Sequence, residues 1–217
     1  MIVHYFGDDN SLLNQFISEI RDENIQKDSM RFRKNIERIG EILSYELSKS
    51  LNYTLKDVKT PLGVKKVSIP DNMLVLCSVL RAGLPLHQGL LNYFDKAENA
   101  FISAYRLHRD DSDKFEVIVK YFASPSLNDK ILVLTDPMLA TGKTLENTFK
   151  ALKSHGIPKQ IHIISVIGSK QGVEYIKNIF PESTHLWIAA IDEKLNSKGY
   201  IVPGIGDAGD LSFGVKL

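Results

Sequence analysis

From Val133 to Thr144 the chain reads Val-Leu-Thr-Asp-Pro-Met-Leu-Ala-Thr-Gly-Lys-Thr, and this stretch narrows the folds open to it. An apolar run ends in Asp136, a short loop of small residues with Gly142 follows, and a helical pattern starts at Leu145. A strand, a tight loop and a helix N-terminus in that order make an anion site. Free backbone N–H groups and the positive end of the helix dipole meet where the loop turns. The carboxylate at the mouth of the loop can hold a pair of sugar hydroxyls or act through a metal. Together these features point to a phosphorylated sugar. An ordinary strand-to-helix turn with a structural Asp is the plainer alternative.

Gly142-Lys143-Thr144 also matches the end of the nucleoside-triphosphate loop G-x-x-x-x-G-K-[ST]. The first Gly of that pattern falls at position 137, where this chain has Pro. Proline brings no N–H and fixes its own φ, so it suits a polyphosphate-wrapping loop badly.

The rest of the chain supplies a matching frame. From Asp28 to Leu51, apolar Phe32, Ile36, Ile39, Leu43, Leu47 and Leu51 recur at helical spacing, with Asp28 or Ser29 as the cap. Asn52 to Asp71 alternates weakly around Pro61-Leu62-Gly63, which predicts a hairpin arm outside the core. Strands are predicted at Leu74–Leu80, Ala100–Tyr105, Leu132–Leu134, Ile161–Ile167 and Leu186–Ile191. Helices are predicted from Gly83 to about Phe94, over Leu145–His155 and near Val173–Ile179. This alternation predicts an α/β fold with a mostly parallel sheet flanked by helices, and ligands then bind beyond the carboxyl ends of the strands. Arg81, Arg106, Asp136 and Gly168 each follow a predicted strand and are expected on that rim. Between them, 106–129 departs from the pattern. A polar tip over 107–114, including His108, and a strand-like Glu116–Phe122 predict a protruding hairpin, either a flap over the site or a solvated loop.

Two arginines on one rim make a second anion subsite, beside the one at the helix, so a ligand with phosphate at both ends would fit. The segment from Gly199 to Gly214 holds five glycines, a proline and two aspartates in sixteen residues, a composition that predicts turns rather than regular structure. Its backbone can read a flat heterocycle with amide-like edges, and Asp207 and Asp210 can each hold a hydroxyl or a metal-bound water. A coil packed against the domain is the alternative.

A chain of 217 residues is expected to form one domain, with N-terminal helices and arm over about 1–72, an α/β core over about 73–195 and a C-terminal loop over about 196–217. The net charge of +1 implies no general polyanion field, so basic residues must act locally. The single cysteine, Cys77, lies in an apolar run and reads as a buried filler. The six histidines show no zinc spacing. Met1 to Gly7 lacks a basic and then apolar segment, and no stretch approaches the ~18 apolar residues of a membrane span. A cytoplasmic protein is the expectation.

With these residues in view, the sequence resembles the uracil phosphoribosyltransferases. The resemblance runs from Met30-Arg31-Phe32-Arg33 through Leu80-Arg81-Ala82-Gly83-Leu84, Tyr105-Arg106 and Asp136 to Gly142, to the segment Gly199–Gly214. It implies a phosphoribosyltransferase-like fold and the reaction of uracil with 5-phosphoribosyl-1-pyrophosphate (PRPP) to give UMP and pyrophosphate. It assigns Asp136, Pro137, Met138, Leu139, Ala140, Thr141, Gly142, Lys143 and Thr144 to the ribose 5-phosphate and hydroxyls, and Arg81 and Arg106 to the pyrophosphate. Arg81, Arg106 and Asp136 are then the catalytic group. Ile201, Gly206, Asp207 and Ala208 fall at the uracil, and Asp207 also meets the donor through magnesium and its waters. It implies a homodimer or higher homo-oligomer, and neither nucleic-acid nor membrane partners. The family usually has a second Gly where this chain has Lys143, which bears on donor affinity. A pyrimidine-responsive RNA-binding regulator on the same fold, or a nucleoside kinase, would be the competing readings. The absence of a dense Lys/Arg cluster and Pro137 count against them in turn.

Overall fold

A computed structural model describes residues 1–71, 73–108 and 115–216, with the side chains of 104–108 and 115–120 outside the description. Among the described residues twelve strands and six α-helices follow in chain order: β1 (Ile2–Tyr5), α1 (Leu12–Arg21), α2 (Ser29–Ser48), β2 (Tyr53–Thr60), β3 (Gly63–Pro70), β4 (Leu74–Leu80), α3 (Gly83–Leu91), β5 (Glu98–His108), β6 (Phe115–Ala123), β7 (Ile131–Thr135), β8 (Met138–Leu139), α4 (Lys143–Leu152), β9 (Gln160–Ser169), α5 (Lys170–Ile179), β10 (His185–Asp192), β11 (Lys194–Leu195), β12 (Ile201–Val202) and α6 (Ala208–Phe213).

The central sheet has the order β1-β10-β9-β7-β4-β5-β6, with the short β8 also on β9. Every pair in it is parallel except β5–β6. Alternation along the buried strands sorts side chains onto two faces. Leu74, Leu76, Ile131, Val133, Ile164 and Val166 pack under α1, α2 and α3. Val75, Cys77, Leu132, Leu134, Ile161 and Ile163 pack under α4 and α5. Cys77 is fully buried, and desolvation pushes its thiol up to about 12, so it is an inert filler.

Helix α2 is set by its sequence. The Asp28 carboxylate accepts from the amides of Met30 and Arg31, while Phe32, Ile36, Ile39, Leu43 and Leu47 form the buried stripe. The hairpin β2–β3 stands off the sheet as its own two-stranded unit and is exposed along its length. Hairpin β5–β6 leaves the far edge of the sheet. The predicted polar tip lies outside the described residues from 109 to 114, and with it the question of a flap.

Three corrections to the sequence reading stand out. The first residues form an edge strand, β1 on β10, so the sheet begins well before residue 73. The region after Gly199, expected to lack regular structure, carries β12 and the six-residue α6. Asp207 caps α6 by accepting from the Asp210 amide, which is how a helix starts inside a Gly-rich stretch. Gly168, expected beyond a strand end, lies inside β9, opposite Leu139 and Ile191.

At the β1 edge, His4, His162, His185 and Trp187 form one layer. The His4 ring stacks on Trp187 at 3.8 Å, and His4 Nε2 lies 2.9 Å from His185 Nδ1. Trp187 Nε1 donates to His162 Nδ1 at 3.0 Å. Protonating this layer would put charge into a buried site and turn acceptors into donors. Burial first, and then the neighbouring His185 and His4, push His162 down to about 3. The folded state therefore resists a proton that the unfolded chain takes up below pH ~6.5, so stability is present above that pH and falls as pH drops toward the folded value. A His162→Gln variant, which keeps an acceptor for Trp187, should lose less stability on acidification. The wild-type-minus-variant difference from urea unfolding should shrink by about 2 kcal/mol between pH 7 and pH 5.

Candidate active site

Because β1, β10, β9, β7, β4 and β5 run parallel, their carboxyl ends share one rim. β4 delivers Arg81 there, β7 delivers Asp136, β9 ends at Ser169 and β10 ends at Asp192. Arg106 lies further along β5, opposite Val117 on β6; its side chain falls outside the description.

The loop from Asp136 to Gly142 is fastened to β9 and α5 from below. Ser165 Oγ donates to the Asp136 carbonyl and Ser169 Oγ to the Ala140 carbonyl, both at 2.7 Å. The Pro137 carbonyl accepts from the amides of Val166 and Ile167. Gly172 makes close approach possible, since a Cβ there would stand 2.2 Å from the Ala140 carbonyl oxygen. The nearly buried Asp136 accepts from the Met138 amide at 3.1 Å. Gly142 takes φ +78° and brings no side chain to cap α4, and the Lys143 amide at the helix start donates to Thr141 Oγ1 at 3.4 Å. Lys143 is the first residue of α4 and exposed, so replacing the expected Gly brings no left-handed strain. Thr144 follows, half-buried. One turn on, Glu146 accepts from Lys150 and from the Tyr175 hydroxyl of α5, and these bonds, with the Lys143 charge, hold its carboxyl below the usual range. The amides of Met138 and Ala140 are already engaged, by Asp136 and by the Met138 carbonyl, which removes the run of free N–H groups a triphosphate-wrapping loop needs.

The C-terminal segment faces this loop. Ile201 and Ala208 are buried in the core under α1 and α2, and the Ala208 amide approaches Met138 Sδ at 3.4 Å. Gly206 turns the chain at φ +83° before Asp207. Two residues outside the sequence motifs hold the segment in place. Arg21 at the end of α1 grips Asp192 at the end of β10 with both terminal nitrogens, at 2.9 and 2.8 Å. Asp192 in turn accepts from the Gly204 amide at 2.8 Å, and Arg21 donates to the Gly204 carbonyl. Burial alone would raise the Asp192 carboxyl; the bonds from Arg21 and Gly204 outweigh it and the net shift is downward. Arg33 donates to the Ser212 carbonyl at 2.7 Å and fixes the end of α6. No spacing rule links positions so far apart in sequence. The one local hint was Arg33 inside the Met30–Arg33 run.

Arg81 is also engaged. Its Nη2 donates to Asp210 Oδ1 at 3.0 Å and to the Gly214 carbonyl at 3.1 Å. Lys216 Nζ lies 3.5 Å from Asp207 and 3.8 Å from Asp210. The structure thus brings Arg81, Asp136, the 137–144 loop, Asp207 and Ala208 to one rim.

An amide-rich loop at a helix start, an acidic residue at its mouth and a facing Gly/Asp segment define a phosphoribosyl-transferring class of α/β protein. The sequence model of the family described as "Uracil phosphoribosyltransferase" matches residues 8–215. The chain is 52% identical to the uracil phosphoribosyltransferase of Porphyromonas gingivalis, over 100% of both chains. It is 37% identical to that of Thermococcus gammatolerans, over 98% of this chain and 94% of the relative. Among solved structures, the AQ2163 protein of Aquifex aeolicus superposes with a TM-score of 0.87 at 29% identity, covering 100% of both chains. The chain belongs to the uracil phosphoribosyltransferase family, a family of pentosyl-transferring enzymes.

Asp192→Ala would leave Arg21 and the Gly204 amide without their acceptor. Unfolding in urea should show a loss of about 2 kcal/mol, below the range for a fully buried pair because Arg21 is partly exposed.

Proposed function

We propose that this protein transfers the 5-phosphoribosyl group from PRPP to uracil, giving UMP and pyrophosphate. The observation that carries the reading is the pairing on one rim of the 136–144 loop with the Ile201–Ala208 segment. The backbone amides at the start of α4 take the 5-phosphate, and Asp136 takes ribose hydroxyls. Arg81, with Arg106, takes the pyrophosphate. Ile201, Gly206 and Ala208 meet the uracil, largely through backbone groups.

Displacing pyrophosphate from an anomeric carbon passes through a cation-like ribosyl group, and negative charge gathers on the leaving group. Cationic groups at the pyrophosphate end should therefore matter most for rate. Magnesium suits the donor set: it takes one or two carboxylates together with substrate phosphates, and Asp207 stands at the start of α6 on this rim. The bound ion would neutralise phosphate charge. Among the described residues no group of three or more His, Cys, Asp or Glu gathers to hold a metal, so Asp207 would act through water together with substrate oxygens.

A homodimer is part of the proposal. Hairpin β2–β3 exposes Leu55, Leu62 and Val64 at 70, 101 and 68%, an apolar arm suited to a second copy. Among the described residues no helix is long and apolar enough to cross a membrane. We place the protein in the cytoplasm, with small-molecule substrates and no nucleic-acid partner.

Pyrophosphate release from PRPP and magnesium should occur with uracil and stay at background with cytosine, hypoxanthine or adenine. Release with a purine alone, or with no base, would overturn the proposal. Lys143→Gly should raise the KM for PRPP by about two- to fivefold with kcat nearly unchanged, as expected for one exposed cation beside a helix N-terminus that binds phosphate. Initial-rate kinetics at fixed, saturating uracil would measure it.

A further inference from the structure

The contacts of Arg81 point to a role for a residue outside the assigned set. We propose that Asp210 is a positioning residue that aims the Arg81 guanidinium at the leaving pyrophosphate. This rests on the reading of Arg81 given above.

Arg81 leaves β4 at the rim, and among the described residues the bonds to its far end come from across the site. Its Nη2 is held from the opposite segment, by Asp210 Oδ1 at 3.0 Å and the Gly214 carbonyl at 3.1 Å. A guanidinium is a planar fork, so fixing one terminal nitrogen fixes the plane and the direction of the other donors. Arg81 Nε is buried without an acceptor, a donor left over for a ligand oxygen. Asp210 is itself well placed to act as the fixed point. Its amide is tied to Asp207 Oδ1 at 3.0 Å, the far end of α6 is tied by Arg33 at Ser212, and the near end rests on Met138. Lys216, 3.8 Å from the same Asp210 oxygen, offsets part of the charge that would otherwise repel an arriving phosphate. The carboxylate takes part in holding Arg81, whereas the helix cap uses only the Asp210 backbone. Removing the side chain therefore leaves the cap intact.

Inorganic pyrophosphate with magnesium would be titrated calorimetrically into wild type, Asp210→Asn and Asp210→Ala. Steady-state kinetics would be run on the same proteins. In Asp210→Ala, pyrophosphate affinity should fall about tenfold and the KM for PRPP should rise to match, the scale of one charge-assisted hydrogen bond. The KM for uracil should stay within about twofold, the resolution of such fits. Asp210→Asn keeps an oxygen for Nη2 and should fall between the two. A merely structural role would loosen α6 as a whole and raise the uracil KM in step, because Ala208 opens the same helix; that result overturns the proposal. Unchanged pyrophosphate affinity overturns it, and so does tighter binding in Asp210→Ala, which would mean that the carboxylate competes with the ligand. A wild type that binds pyrophosphate but does not turn over uracil would fail the functional reading alone, since the affinity order of the variants still decides this one. A wild type that binds no pyrophosphate overturns both.

Discussion

The carboxylate of Asp192 joins the two ends of the chain. It stands where β10 reaches the rim, takes both terminal nitrogens of Arg21 from the N-terminal helix, and accepts the Gly204 amide from the C-terminal segment. Three elements distant in sequence are thus fixed by one buried group. Without it the segment from Ile201 to Ala208 would keep the β11–β12 pairing and the Arg21 bond to the Gly204 carbonyl but lose the charged anchor at its root. Apolar contacts fix depth better than direction, whereas a bidentate ion pair and an amide bond fix both. The placement of the segment opposite the 136–144 loop, and so the existence of a two-sided site, follows from that bond set.

How much of this was legible depended on the range of the signal. The buried strands β4, β7 and β9 and the helix α2 were readable because apolar period and caps are local: Leu74–Leu80 is bounded as expected, and Asp28 does cap α2. β1 was not, since Ile2–Tyr5 is an exposed and half-buried edge strand whose only claim to be a strand is its pairing with β10. α6 was hidden for a different reason. Glycine and aspartate argue against a helix interior, yet Asp207 serves as the cap and a helix of six residues has hardly any interior. Within the site, Asp136, Arg81 and the Gly142 turn could be read from strand ends and loop composition. Arg21, Asp192 and Ser169 could not, because each acts across the fold on a partner that no spacing rule connects to it.

The two sides of the site are held by different physics. The 136–142 loop is fastened by neutral bonds from the buried hydroxyls of Ser165 and Ser169 and by the close seat at Gly172. Such bonds are little screened and tolerate hardly any displacement, since a loop shifted off them would leave buried carbonyls unpaired. The proposed phosphate site draws on that rigidity, because amides must already point at an anion before it arrives.

The facing side is held largely by ions in partial contact with water: Arg21 with Asp192, Arg33 on Ser212, and Arg81 with Asp210. Their strength grades with exposure. The Asp192 pair, with side chains 26 and 9% exposed, lies deeper than the Arg81 pair, at 38 and 29%. Ion pairs weaken as water and salt reach them, so the segment is firm at its root near Gly204 and more easily displaced toward its tip near Asp210. A donor carrying its own phosphate charge at the tip would meet a guanidinium that is aimed but only lightly held. The same donor at the α4 loop would meet a backbone fastened to β9 through the carbonyls of Asp136, Pro137 and Ala140. Under the proposed assignment rigidity falls at the 5-phosphate and compliance at the pyrophosphate, the arrangement a transfer reaction calls for, since one phosphate stays with the ribose while the other must leave.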